Sequence, residues 1–258
     1  MLMNKYALTI DVDWAPEYAI KSVATILIKN KIKCTWFITH ISEQIEDLFK
    51  ENELFEFGLH PNFFSFSSHG ENEQEIMDYF RQILPGNKII RTHALYQSSR
   101  LLNDFITKYD IEIDASLFLR EMPNIIPHYL FLNHDLKNKI FRIPYFWEDD
   151  IEMYNTNKSW DISNKKYHVE GLKVFNFHPT FIYLNGDKMI QYEELKKVGI
   201  LNEIDEEISA KFINNNSKGT GTFFNDLIDY LVLNSVETFK MSEIKVEYDL
   251  NQINNPES

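Results

Sequence analysis

The chain has 258 residues and carries 26 Lys and Arg against 39 Asp and Glu, a formal net charge of −13. At 44% hydrophobic and 14% aromatic, its apolar content is that of a folded protein rather than a disordered one. So large an acidic excess argues against a nucleic-acid partner and against a polybasic membrane anchor, both of which rely on a basic field.

A lone cysteine, Cys34, leaves no intrachain disulfide and no cysteine-based zinc cluster. The amino terminus passes through Asn4 and Lys5 straight into a short apolar run, without the pattern of a secretory leader. No apolar stretch nears the ~18 residues of a bilayer span. The expectation is a soluble cytoplasmic protein with no membrane span.

In chain order, Tyr6-Ala7-Leu8-Thr9-Ile10 reads as a strand, and Ile20, Val23, Ala24, Leu27 and Ile28 then share one helical face. Cys34 to Ile38 is the next strand, followed by a helix capped by Ser42. Phe55, Phe57 and Leu59 alternate with Glu56 and Gly58 as a third strand. A helix from Glu71 to Leu84 stops at Pro85-Gly86. Lys88 to Ile90 is a fourth strand, and Ser98 or Ser99 caps a helix carrying Leu101, Leu102, Phe105 and Ile106. Further strands are Ile111 to Ile113, Ile140 to Ile143 and Val174 to Phe177, and a last helix spans Thr222 to Val232. Strand and helix alternate over most of the chain, which predicts an α/β fold with a largely parallel sheet, open or closed into a barrel. No linker or repeat divides it, so residues 1–250 read as one domain and 251–258 as a polar, frayed tail.

The residues just after the strands are more informative. They are Asp11, Thr39, His60, Arg91, Asp114, Pro144 and His178, of which five in seven are ionisable. In α/β barrels the carboxyl ends of the strands surround one site. Asp11 and Asp13 bracket Val12, and on an extended backbone residues i and i+2 face the same way. Two carboxylates so close repel unless a cation lies between them, so one can bind a metal while the other accepts a proton. The plainer alternative has one Asp capping the next helix and the other solvated. His60 is a candidate ligand, with His69 and His93 as further nitrogen donors. Arg91 can pair with Asp11. His178, held at the end of an apolar strand, suits a general acid.

Together these segments resemble the NodB-like polysaccharide deacetylases, carbohydrate esterase family 4, and within them the WbmS-like branch, over residues 6 to 185. Thr9-Ile10-Asp11-Val12-Asp13 is similar to the family's first motif and Cys34-Thr35-Trp36-Phe37 to its second strand. Glu56-Phe57-Gly58-Leu59-His60 resembles the start of the second motif. Arg91-Thr92-His93, Ile113-Asp114-Ala115-Ser116-Leu117 and Phe177-His178-Pro179 resemble the later ones. The resemblance implies a distorted (β/α)7 barrel in which Asp11 is the general base, Arg91 orients it, and His178 protonates the departing amine. Asp13 and His60 would be metal ligands. One position departs from the pattern: the family's second histidine, four residues after the first, is Phe64 here. Either a third ligand comes from elsewhere, His69 first and His93 second, to complete a three-ligand open site, or the site binds metal weakly or has lost catalysis. That mixed O/N set suits Zn2+, with Ni2+ or Co2+ also acceptable.

The run Tyr145-Phe146-Trp147-Glu148-Asp149-Asp150 sets aromatics beside three acids, a composition suited to sugar faces and hydroxyls. Asn62, His93, Tyr145 and Trp147 are therefore candidate saccharide contacts. The function expected is metal-dependent removal of an N-acyl group, acetyl or formyl, from a small saccharide or cytoplasmic saccharide precursor. The alternatives are hydrolysis of a non-sugar amide, or a non-catalytic carbohydrate-binding relic of the same barrel. Nothing in the pattern fixes an oligomeric state.

Overall fold

A computed structural model describes residues 4–132 and 136–254. The first half follows the alternation in the sequence: β1 (Tyr6–Asp11), α1 (Glu17–Lys29), β2 (Cys34–Ile38), α2 (Glu43–Leu48), β3 (Phe55–Leu59) and α3 (Glu73–Ile83). Then come β4 (Ile89–Ile90), α4 (Ser99–Thr107), β5 (Ile113–Asp114), β6 (His128–Phe131), β7 (Lys139–Arg142), β8 (Trp147–Glu148) and α5 (Asp149–Tyr154). The chain continues through β9 (Lys173–Phe177), α6 (Pro179–Leu184), α7 (Ile190–Lys196), α8 (Glu206–Ser209), α9 (Thr220–Leu233) and α10 (Met241–Asn254).

Local chemistry sets several of these boundaries. Ser42, Asn72 and Ser98 each accept a backbone N–H with the side chain, capping α2, α3 and α4. Asn72 is the cap of α3, so that helix starts two residues later than the sequence pattern suggests. Ile111 does not enter the sheet: its N–H is taken by the Phe105 carbonyl, and the strand is Ile113–Asp114. Pro179 opens α6 as its first helical residue, where its missing N–H leaves nothing unpaired. The helix α10 runs to Asn254, so residues 251–254 are helical rather than a loose tail, and residues 255–258 lie outside the described residues.

Among the described residues nine strands form one mixed sheet in the order β6-β7-β5-β4-β3-β2-β1-β9-β8. All neighbours are parallel except the hairpin β6–β7. The strands β7 and β8 are two ends of one stretch, residues 139–148. Its start pairs with β5 and its end with β9. Between them Tyr145 exchanges backbone hydrogen bonds with Leu117 and Leu119. One stretch of chain thus joins both edges of the parallel sheet, and the fold is the distorted (β/α)7 barrel of the NodB type.

Side chains alternate across this wall. Leu8 and Ile10 of β1, Trp36 and Ile38 of β2, and Phe175 and Phe177 of β9 face outward into one core with α1 and α9. Ala7, Phe37 and Val174 face inward and pack with Ile113, Phe141 and Tyr145, and with Met241 and Ile244 of α10. The same parity sends Thr9, Asp11, Asn176 and His178 toward the interior and its carboxyl-terminal mouth.

Candidate active site

Arg91, at the end of β4, is wholly buried and lies at the centre of the mouth. Its guanidinium carbon lies 4.3 Å from the Phe37 ring centre and 4.7 Å from that of Tyr145. Nε donates to the Ala115 carbonyl at 3.0 Å, and Nη1 reaches Asp11 Oδ1 at 3.0 Å and Thr9 Oγ1 at 2.9 Å. Asn176, two residues before His178 on β9, donates to Asp11 Oδ2 at 2.9 Å and to Glu148 Oε1 at 3.0 Å, while its carbonyl accepts from Arg91. Burial raises the Asp11 carboxyl, but Arg91, His60 and His178 outweigh it and hold the group below the ordinary carboxylate range. Asp11 is thus an ionised carboxylate with both oxygens oriented.

Asp13 reaches the same mouth by a turn rather than by strand pleating. β1 ends at Asp11, and Asp13 and Trp14 both have left-handed backbones, φ 45° and 54°. Such a conformation at two consecutive non-glycine residues is strained and typical of functional sites. Asp13 Oδ1 lies 3.1 Å from His60 Nε2 and 3.0 Å from His93 Nδ1. His60 Nδ1–H donates to the Arg91 carbonyl at 2.8 Å, which fixes the ring with Nε2 turned toward Asp13. Burial alone would raise Asp13, yet His93 and His60 keep it well below the usual range.

The His178 side of the mouth is assembled by the segment that ends the joining stretch. Asp149 accepts the His178 backbone N–H at 2.9 Å and lies 2.7 Å from its Nδ1, so the imidazole is gripped at two points. Nε2 then faces the mouth, 3.5 Å from Asp13 Oδ2. Burial disfavours charge on His178, but Asp149, Asp13 and Asp150 reverse this and raise its pKa well above that of an ordinary histidine. Beside it, burial and the neighbouring Asp149 push Asp150 up to about 6. Burial and Asp150 raise Glu148 well above its usual value.

Two groups among the described residues bring ligand-type atoms within 4.8 Å of one another: Asp13, His60 and His93, and Asp11, Glu148 and His178. In the second group the carboxylates already accept from Arg91, Asn176 and the Tyr145 hydroxyl, the last at 2.9 Å from Glu148. Its ligand atoms are thus already engaged by neighbouring side chains. The first is the better cation cradle, one carboxylate and two imidazoles with one tautomer fixed from behind.

His69, the first choice from sequence for the third ligand, is not brought into that cradle. Its Nδ1 accepts the Asn62 backbone N–H at 3.1 Å, and its ring is stacked between Trp14 and Tyr79. Burial lowers its pKa to about 4, so it is neutral, with the proton on Nε2 and no free lone pair. His93, read as second choice and as a saccharide contact, stands at the cradle instead. Trp147 also differs from expectation: its ring faces outward among Phe177, Phe223 and Trp160, because parity on β8 sends it to the helical layer. Tyr145 is buried behind Arg91, supporting it rather than facing solvent. Asn62 is half-buried at the mouth, its side chain accepting the Phe64 N–H. Phe64 itself stands outside the cluster, 47% exposed.

The sequence reading missed Thr9, Asn176 and the pairing role of Asp149. A polar residue at position 176 in an otherwise apolar strand was the available signal. Glu148 and Asp149 read in the sequence as sugar contacts, whereas in the fold they hold Asn176 and His178.

A buried carboxylate held by arginine, an imidazole gripped by a second carboxylate and an O/N/N cluster thus meet in one mouth. A family model for WbmS-like polysaccharide deacetylases matches residues 8–196, and the chain belongs to that family of carbohydrate deacetylases. A solved structure from Bordetella bronchiseptica, described as WbmS, a polysaccharide deacetylase involved in O-antigen biosynthesis, is similar. It shares 28% identity with a TM-score of 0.73, covering 87% of this chain and 90% of that one. A second, peptidoglycan deacetylase PdaC from Bacillus subtilis, has 12% identity and a TM-score of 0.49 over 98% of this chain and 97% of its own, too low a likeness to build on. No curated protein matches the chain. Among the described residues no helix is long and apolar enough to cross a membrane.

Proposed function

We propose that this protein is a divalent-metal-dependent deacetylase that removes the N-acetyl or N-formyl group from a saccharide precursor in the cytoplasm. The observation that carries the reading is the opposition of two oppositely poised groups across one cradle. Ionised Asp11 lies 3.8 Å from His60 on one side, and His178 lies 3.5 Å from Asp13 on the other. The donor chemistry of Asp13, His60 and His93 fits zinc, with nickel or cobalt as alternatives. When bound, such an ion polarises the amide carbonyl and makes water more acidic.

The residues of the chain supply the proton transfers. Asp11, kept ionised and aimed by Arg91 and Asn176, accepts the proton of the attacking water. His178, kept protonated by Asp149, donates to the amine nitrogen as the C–N bond breaks, which relieves a poor leaving group. Asp149 stabilises the imidazolium and fixes which nitrogen faces the substrate. The described role of the Bordetella protein in O-antigen synthesis supports a surface-polysaccharide precursor as substrate.

The test is acetate and formate release from a panel of N-acylated nucleotide-linked and free hexosamines. Protein loaded separately with zinc, nickel and cobalt would be assayed beside Asp11→Asn and His178→Ala. Release in the parent, reduced by at least about a thousandfold in both variants, is expected from losing the base or the acid. Release unchanged in either variant would refute the assignment of roles.

A further inference from the structure

The two imidazoles of the cradle are held in different ways. The His60 ring is fixed from behind, with its Nδ1–H on the Arg91 carbonyl. The His93 ring has no such backing. Among the described residues its hydrogen-bonding contact is Asp13, and Trp14 and His60 meet it edge on, at 5.4 and 5.5 Å. Where its nitrogen points is therefore set by the backbone that carries it. That backbone is a tight turn in which Ala94 and Leu95, neither of them glycine, are both left-handed, φ 49° and 55°. Such residues are costly and persist only where the surrounding structure holds them.

The hold comes from the end of β5, where Asp114 is wholly buried and divides its two oxygens. Oδ1 accepts the Ser116 N–H at 2.9 Å, and the Ser116 hydroxyl accepts the N–H of Thr92, the residue before His93, at 3.0 Å. Oδ2 accepts Arg142 Nε–H at 2.8 Å, and Arg142 Nη2 donates to Gln97 Oε1 at 2.6 Å, just past the turn. The Gln97 amide donates in its turn to the Ser116 and Leu95 carbonyls. One carboxylate thus reaches the turn from both sides. Asp114 ends a strand as Asp11 and Arg91 do, yet no step of the mechanism uses it.

We propose that Asp114 is a positioning residue for metal binding: through Ser116 on one side, and Arg142 and Gln97 on the other, it holds the strained turn that presents His93. It thereby sets the affinity of the Asp13, His60 and His93 cradle. The inference rests on the metal-dependent reading of the site and deepens it. The hydrogen bonds of Asp114 go to Ser116 and Arg142, so its effect on an ion travels through the turn. A buried ion pair that only stabilised the barrel would lower Tm and leave metal affinity alone.

The test is titration of metal-free protein with Co2+ alone, whose visible bands report the ligand set, followed by displacement with Zn2+. Parent, Gln97→Ala and Asp114→Asn are compared, each also in a His93→Ala background. Gln97 is exposed, so its variant should melt as the parent does and carries the test even where Asp114→Asn folds poorly. Both variants should bind Co2+ about 10- to 100-fold more weakly, the range typical of removing a support behind a ligand. With His93 gone, neither substitution should weaken binding further. The Co2+ spectrum of Gln97→Ala should also move toward that of His93→Ala. Equal affinity in the parent and either folded variant overturns the proposal. So does an equal fold loss with and without His93, the mark of a mouth loosened as a whole. A parent that takes up no Co2+ overturns it too, and acetate release then judges the deacetylase reading separately.

Discussion

Replacing Arg91 by methionine tests the electrostatic design of the mouth most directly. Met fills much of the space between Phe37 and Tyr145 but leaves the Asp11 carboxylate buried without its cation. Breaking a buried pair by removing one partner costs about 3–5 kcal/mol, because the remaining charge is uncompensated. For a chain of this size each kcal/mol lowers Tm by about 2–4 °C, so a fall of about 6–20 °C at neutral pH is expected. The sign of the pH dependence follows from Asp11. In the parent its folded pKa lies below its unfolded one, so its contribution is present above the unfolded value and is lost as pH falls through the folded one. In the variant burial, the largest single influence, is opposed by His60 and His178 alone, so the folded pKa is expected to rise above the unfolded one and the penalty to disappear as acid protonates the group. The Tm gap between parent and variant should therefore be widest near pH 7 and narrow steadily toward pH ~4. Melts across that range, with Asp11→Asn and the double variant completing the cycle, measure the coupling. A gap independent of pH, or additive single effects, would show that the loss is one of packing and refute the charge argument.

Three further outcomes are expected. Asp149→Asn should leave metal content unchanged and lower kcat by about a hundredfold to ten-thousandfold, since His178 loses the carboxylate that orients and charges it; elemental analysis beside steady-state kinetics separates the two. His93→Ala should lose its metal while His69→Ala retains it, measured by elemental analysis after dialysis. The reverse result would reinstate His69 as ligand. Gly58→Ala would place a methyl 2.6 Å from the Phe37 ring, which is backed by Arg91, and should destabilise by about 1–3 kcal/mol with a parallel loss of activity, read from denaturant melts and rates.

The strands of the first half are visible in the sequence because both faces of a parallel sheet are buried, leaving near-continuous apolar runs such as Cys34 to Ile38. The short elements are not. β8 is two residues long, and its pairing is fixed by β9 rather than by its own pattern. α10 is largely polar, and Met241 and Ile244, with Tyr248 packed beside them, carry its contact with the barrel interior. Within the site, Asp11, Arg91 and His178 were legible because each ends an apolar run. Asp13 was found for the wrong reason: the i, i+2 rule brought it to the mouth, whereas a strained turn does so in the fold. The order His69 before His93 is reversed in the fold, since it turns on which ring is sandwiched and which stands at the cluster. That depends on Trp14 and Tyr79, residues far apart in sequence. Trp147 misled because an aromatic beside acids reads as a sugar contact until the parity of its strand is known.

The stretch that joins the two edges of the sheet also has a bearing on when the protein becomes competent. Asn176 reaches Asp11 across 165 positions of chain, and Glu148 and Asp149 arrive only with the segment that joins β5 to β9. During synthesis the amino-terminal strands can pair as they emerge, bringing Asp11, Asp13 and His60 together early. They then form an acidic half-site with no proton donor opposite. On the proposed mechanism, the seating of β9 is the step that supplies His178 and completes the support of Asp11 together. On that mechanism a nascent chain without this strand has neither the proton donor nor the full support of Asp11, and catalysis belongs to the completed fold.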